Sequence, residues 1–122
     1  MGKYFSQMKK IFDFETTHFD FILIQHIEKL RKLNEITKDD LSLKMGLAKS
    51  FVSNVESYTQ KHKYSTRHIT LLAKAFGYTK ISDLLDFPTP QYDRIKVTVE
   101  QTYNEAGTKV IKSEVVKIEE IK

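Results

Sequence analysis

Thr37-Lys38-Asp39-Asp40-Leu41-Ser42-Leu43-Lys44-Met45-Gly46-Leu47-Ala48-Lys49-Ser50-Phe51-Val52-Ser53-Asn54-Val55-Glu56 is the stretch whose reading decides the fold. Thr37 can cap a helix with its hydroxyl, and Asp39 and Asp40 then fall in the first turn, where the helix dipole favours anions. Leu41 and Met45 lie four apart and face inward. Gly46 follows at once, where a helix end wants a left-handed residue. A further helix is expected from near Ala48 to about Ser57. On a helical wheel, Ala48, Phe51, Val52 and Val55 take one side. Lys49, Ser50, Ser53, Asn54 and Ser57 take the other. Two short helices crossing at a tight turn need little bulk where they meet, and Ser42 supplies that.

Similar patterns extend outward in both directions. Leu23, Ile24, Ile27, Leu30 and Leu33 repeat at helical spacing, with Asp20 or Thr17 as cap and Asn34 at the end. After a polar loop, Tyr58 to Tyr64, a helix is expected from Ser65 or Thr66. It buries Ile69, Leu72, Ala73 and Phe76 and stops at Gly77. A short one follows, capped by Thr79, with Ile81, Leu84 and Leu85 inward. Phe87-Pro88-Thr89-Pro90 breaks helix and reads as a linker. Residues 1–17 place Tyr4, Met8, Ile11 and Phe12 on one helical face, so they read as a short amphipathic helix or, equally, as an extended arm.

Beyond Tyr92 the period changes to two. Ile95, Val97 and Val99 alternate with Lys96, Thr98 and Glu100, as in a half-buried strand. Asn104-Glu105-Ala106-Gly107 is a turn signal, and a second strand runs from Thr108 to about Ile118. With Asn104 opposite Thr108, Val97 faces Val115 and Gln101 faces Ile111. A lone hairpin is marginal in water. Its apolar residues Ile95, Val97, Val99, Ile111 and Val115 therefore need a cover, which is either the helical body or a second subunit.

The chain has 122 residues, 40% of them hydrophobic and 30% charged, which suits a globular fold. It has no cysteine. That excludes a disulfide scaffold, a thiolate metal site and a cysteine nucleophile. Residues 1–90 carry 14 Lys and Arg against 10 Asp and Glu, whereas residues 91–122 balance at 6 each. Between Lys44 and Lys74, six cations stand against Glu56 alone. Such a local excess suits an anionic polymer, although an ordinary solvated face carries similar charges. The outward side of the helix near Ala48–Ser57 is more telling, because it holds short hydrogen-bonding groups, one lysine and no acid. Lysine reaches guanine acceptors, asparagine pairs with adenine, and serine adapts to either.

Catalytic and metal chemistry find no foothold. The four histidines include no pair four residues apart. No phosphate-cradling glycine loop occurs. Asp39-Asp40 and Glu119-Glu120 are adjacent pairs that point different ways. No apolar run is long enough to cross a bilayer, and no secretory leader is visible. The expectation is a non-enzymatic cytoplasmic protein without metal or cofactor.

The residues from Thr37 to Glu56 resemble the helix-turn-helix of the Xre and lambda-repressor-like regulators. Ile27-Glu28-Lys29-Leu30-Arg31 is similar to the end of that family's first helix, Leu71-Leu72-Ala73-Lys74-Ala75-Phe76-Gly77 to its fourth, and Ser82-Asp83-Leu84-Leu85 to its fifth. The resemblance covers roughly residues 19–87. It implies a mostly α, five-helix lambda-repressor-like domain, here with a C-terminal β-hairpin. The expected division is an extension at 1–17, the DNA-binding domain at 18–87, a linker at 88–91 and the hairpin at 92–122.

The resemblance also implies roles. Arg31 and Glu56 match a structural ion pair between the first and third helices. Lys49, Ser50, Ser53 and Asn54 fall at or beside base-reading positions. Thr37 and Lys38 match a phosphate contact at the start of the second helix. Lys61, His62, Lys63 and Arg67 fall in or after a loop that meets the DNA backbone. Several positions depart from the family. Lys38 stands where glutamine is usual, and Asn54 at a frequent arginine position. Ser57-Tyr58 replaces a common arginine–glycine. Phe51 stands where a small polar residue is common, either packing under its helix or touching a thymine methyl. The implied function is sequence-specific binding of double-stranded DNA by a transcriptional regulator, a repressor, acting as a homodimer through the hairpin. The alternative is an antitoxin-like module that binds a protein partner, with DNA binding secondary or lost.

Overall fold

The computed structural model describes residues 8–122. In chain order it contains β1 (Lys9–Thr17), α1 (His18–Leu33), α2 (Lys38–Lys44), α3 (Phe51–Glu56), α4 (Thr66–Phe76), α5 (Ile81–Leu84), β2 (Arg94–Tyr103) and β3 (Val110–Glu120). No helix among the described residues is long and apolar enough to cross a membrane. The described residues divide into two compact units. One joins the N-terminal stretch, up to His18, with Tyr92–Lys122, and the other is Phe19–Gln91.

The helical unit follows the local signals closely. Thr37 has extended backbone, and its Oγ1 accepts the Asp40 N–H at 3.0 Å, so α2 starts with a side-chain cap. Gly46 has φ +75, which only glycine adopts without strain. There the Gly46 N–H donates to Leu43 O and the Leu47 N–H to Ser42 O, closing the end of α2 with two bonds. The end of α4 repeats this pattern at Gly77 and Tyr78. Leu23, Ile27, Leu41, Val52, Leu72 and Leu84 are buried in one core. Helix α1 ends at Leu33, directly before Asn34 as expected, and the left-handed residue that follows is Glu35, φ 55. Two boundaries differ from expectation. Lys80, not Thr79, precedes α5. Ala48–Ser50 form a turn ahead of α3, with the Phe51 N–H donating to Ala48 O.

The second unit corrects the expected fold class. With 38% of the described residues in helix and 26% in the strands of a three-stranded antiparallel sheet, the chain is α+β rather than mostly α with a hairpin. The strand order is β1-β2-β3. Residues 9–17 are strand, not helix. Phe12, Phe14 and Thr16 alternate with Asp13 and Glu15 and pair with Val99, Val97 and Ile95 of β2. Aromatic and β-branched cross-strand pairs of this kind stabilise a sheet and override the helical spacing of Met8, Ile11 and Phe12. Tyr4 lies outside the described residues. The hairpin thus gains its third strand from the opposite end of the sequence.

The turn itself forms where the sequence places it. Gly107 has φ +70, and the Asn104 Oδ1 accepts the Thr108 and Lys109 N–H groups. The register beyond it is not the simple one. Val97 pairs with Ile118 and Gln101 with Ser113, while Val115 faces Val99. Two bulges, at Ile111 and Val116, each leave one β3 residue unpaired and slide the register. Ile95, Val97 and Val99 have no exposed surface, so they offer nothing to a second subunit. Ile111 is exposed and Val115 half-buried.

Candidate nucleic-acid interface

A single buried hydroxyl joins the two short helices. Ser42 is fully buried on α2. Its Oγ donates to Lys38 O at 2.9 Å and accepts the Val52 N–H at 2.9 Å. Val52 is the second residue of α3, so its N–H has no partner within that helix. Ser50, the residue that should cap α3, makes no side-chain cap bond. Ser42 therefore caps α3 from the neighbouring helix, and Ser50 stays exposed.

The far end of α3 is held by an ion pair. Arg31 Nε donates to Glu56 Oε2 at 2.9 Å and Arg31 Nη2 to Oε1 at 2.8 Å. Arg31 Nη1 donates to Ile36 O at 3.0 Å, tying the α1–α2 turn to the same guanidinium. The two side chains are 8% and 2% exposed. The Glu56 hydrogen bonds raise the Arg31 pKa against the lowering effect of burial. Burial pushes the Glu56 carboxyl up, and the Arg31 bonds pull against that push. Nearby Tyr64 is buried with no hydrogen-bond partner for its hydroxyl among the described residues. Burial, and then the Glu56 charge, push its pKa upward. Tyr58, half-buried, accepts a hydrogen bond from Gln25.

Two contacts place the start of α3. Lys49 Nζ lies 3.8 Å from the Asp39 carboxylate in an exposed pair, so the turn before α3 lies beside the first turn of α2. The Phe51 ring lies 4.5 Å from the His68 ring and 6.0 Å from Tyr64. This sets α3 against the first turn of α4. Phe51, half-buried, therefore packs against α4. His68 in turn accepts the Ser65 N–H at Nδ1, 2.9 Å away, at the start of α4. Burial, then the Arg67 charge, lowers the His68 pKa.

These contacts gather most of the candidate residues. Thr37 and Lys38 begin α2, Lys49 and Ser50 precede α3, and Arg67 lies in the first turn of α4. All five are exposed. Ser53 and Asn54 on α3 are half-buried. Lys61 and His62 are exposed on the loop before α4, while Lys63 is held by Asp20 of α1 at 3.3 Å. The surface is a cationic and hydroxyl-bearing rim around a short helix, with Asp39 and Asp40 as its acids. Three contributors escaped sequence reasoning. The Ser42 bond to Val52 leaves no trace beyond a small polar residue at a crossing. Asp39 reads as a helix-start anion but also pairs with Lys49. His68 fills the place where glutamate or glutamine usually closes a capping box, so Ser65-x-x-His68 was the available signal.

No protein-family model matches the chain, and no curated protein sequence matches it.

Proposed function

We propose that the helical unit reads double-stranded DNA through the major groove, in the manner of the Xre and lambda-repressor-like regulators that Thr37–Glu56 resembles. The observation that carries this reading is the clustering around the start of α3. Lys49 and Ser50 stand exposed just ahead of α3, which the Phe51–His68 contact sets against the first turn of α4, and Lys49 lies near Asp39 of α2. Lys49, Ser50 and Asn54 read base edges, with Ser53 beside them. Lys38, Lys61 and Arg67 neutralise phosphates, with Thr37 and His62 as polar neighbours. Phosphate contacts set position and affinity, and the α3 side chains set sequence. The Lys49–Asp39 pair is solvent-exposed, so releasing Lys49 to a guanine costs little.

One such module contacts few base pairs. Two copies on half-sites about 34 Å apart would double the contacts, so the working form in this reading is a dimer. The protein acts as a cytoplasmic transcriptional repressor, and no step requires a catalytic group.

Equilibrium binding to duplex DNA over a salt series tests the reading. Affinity should fall linearly with salt on logarithmic axes, and Lys38→Gln and Arg67→Gln should each flatten that line. A protein that fails to bind duplex at any salt concentration does not have this function.

A further inference from the structure

Among the described residues β3 is an edge strand of eleven residues, hydrogen-bonded on one side only, to β2. Its free side is a row of unpaired N–H and C=O groups, which proteins normally cover or charge. Val116 and Ile118 on it are 50% and 40% exposed. We propose that the free edge of β3 pairs antiparallel with β3 of a second copy of this chain, in one register centred between Val115 and Val116. The proposal supplies the dimer that the DNA-reading function calls for and rests on that part of the reading.

The register follows from charge and from the bulge. In a continuous sheet related by a two-fold axis normal to it, facing residues must lie on the same side of the sheet. In an unbroken strand this allows only pairings about a residue. The bulge at Val116 shifts the alternation by one. Lys112 and Glu114 pair with Thr102 and Glu100, and Lys117 and Glu119 with Thr98 and Lys96. All four β3 residues therefore share one side. Centred between Val115 and Val116, Lys112 of one copy meets Glu119 of the other, and Glu114 meets Lys117. Every such meeting is between opposite charges. One residue further toward the N-terminus Lys112 would oppose Lys117, and one residue further toward the C-terminus Glu114 would oppose Glu119. On the other side of the sheet Ser113 faces Ile118. Val116, unpaired with β2, sits beside the axis. Within one chain the same charges make exposed contacts, Lys112–Glu114 at 3.7 Å, Lys117–Glu119 at 3.1 Å and, across to β2, Lys96–Glu119 at 3.8 Å. Such surface pairs exchange partners at little cost.

Charge-swapped full-length chains, followed by analytical ultracentrifugation without DNA, test this. The Lys112→Glu, Lys117→Glu variant is acidic at all four of these facing positions, and the Glu114→Lys, Glu119→Lys variant is basic at all four. Each should dimerise about 100-fold more weakly than the wild type, because like charges then face each other across the axis. Mixed in equal amounts, the two should form a 1:1 heterodimer. Val116→Lys, at a position outside the β2 pairing, should also yield a folded monomer by circular dichroism and sedimentation. A monomeric wild type overturns the proposal. So do variants that self-associate as tightly as the wild type, and so does a mixture that remains monomeric. Duplex binding is measured separately, so loss of this dimer and loss of DNA reading give different results.

Discussion

The Ser42 Oγ accepts the Val52 backbone N–H at 2.9 Å, so α2 caps α3. The bond is fully inside the protein, and it decides where the proposed reading helix begins. Replacing the hydroxyl strands a buried amide donor. Ser42→Ala should cost about 1–3 kcal/mol of stability. The loss should appear first as faster hydrogen exchange at the Val52 amide. An unchanged exchange rate there would mean that α3 is held by its packing alone.

Arg31 and Glu56 form the second anchor of α3, and here removal of one partner differs from removal of both. Arg31→Ala leaves a buried carboxylate without its counter-charge, a loss on the order of 3–5 kcal/mol. The double variant Arg31→Met, Glu56→Met should recover much of that loss, since apolar groups of similar size suit the same space. Urea denaturation of the three proteins measures both effects. A double variant less stable than Arg31→Ala would contradict this account.

His68 gives the fold a pH dependence of known sign. Its pKa is lowered from 6.5, by burial first and by Arg67 second. The unfolded chain therefore binds more protons than the native one just below pH 6.5, and stability rises with pH through that window. The contribution is complete above the ordinary histidine pKa. It is lost as pH falls toward the lowered native value, when the protonated Nδ1 can no longer accept the Ser65 N–H. His68→Gln, which keeps an acceptor at that place, should flatten the stability profile as pH falls below the ordinary histidine pKa of 6.5. An unaltered slope would place the dependence elsewhere.

The legibility of the chain divides along the same lines as its physics. Thr37, Gly46, Gly77 and Asn104–Gly107 act through neighbours a few residues away, and each could be read in order along the sequence. The strand Lys9–Thr17 could not, because its partners Ile95, Val97 and Val99 lie some 80 residues on. Only the alternation of Phe12, Phe14 and Thr16 hinted at it. The bulges at Ile111 and Val116 have no local signature, so the register of β3 was out of reach, whereas the inward face of Ile95, Val97 and Val99 was legible in their alternation. In the candidate interface, the Arg31–Glu56 pairing follows from a resemblance. The Asp39–Lys49 and Phe51–His68 contacts are tertiary and emerge only from the fold.

Lys49 and Lys61 should behave differently on DNA. Lys49→Ala should lose about 1–3 kcal/mol on a preferred site and relax its sequence preference. Lys61→Ala should weaken all duplexes alike and lower the salt slope by about one. Asp39→Asn removes an acid from the rim and should tighten binding to every duplex. Fluorescence anisotropy over a salt series separates these outcomes. Identical behaviour of the two lysine variants on preferred and random duplexes would end the division between base reading and phosphate contact.

The most direct measurement is selection of the full-length protein against a random duplex library at roughly physiological salt, where non-specific binding is weak. The account predicts an enriched two-fold-symmetric site whose half-sites lie about one helical turn apart and whose base preference changes with Lys49→Ala or Asn54→Ala. A library that emerges without enrichment, or an enriched site indifferent to both substitutions, would contradict it.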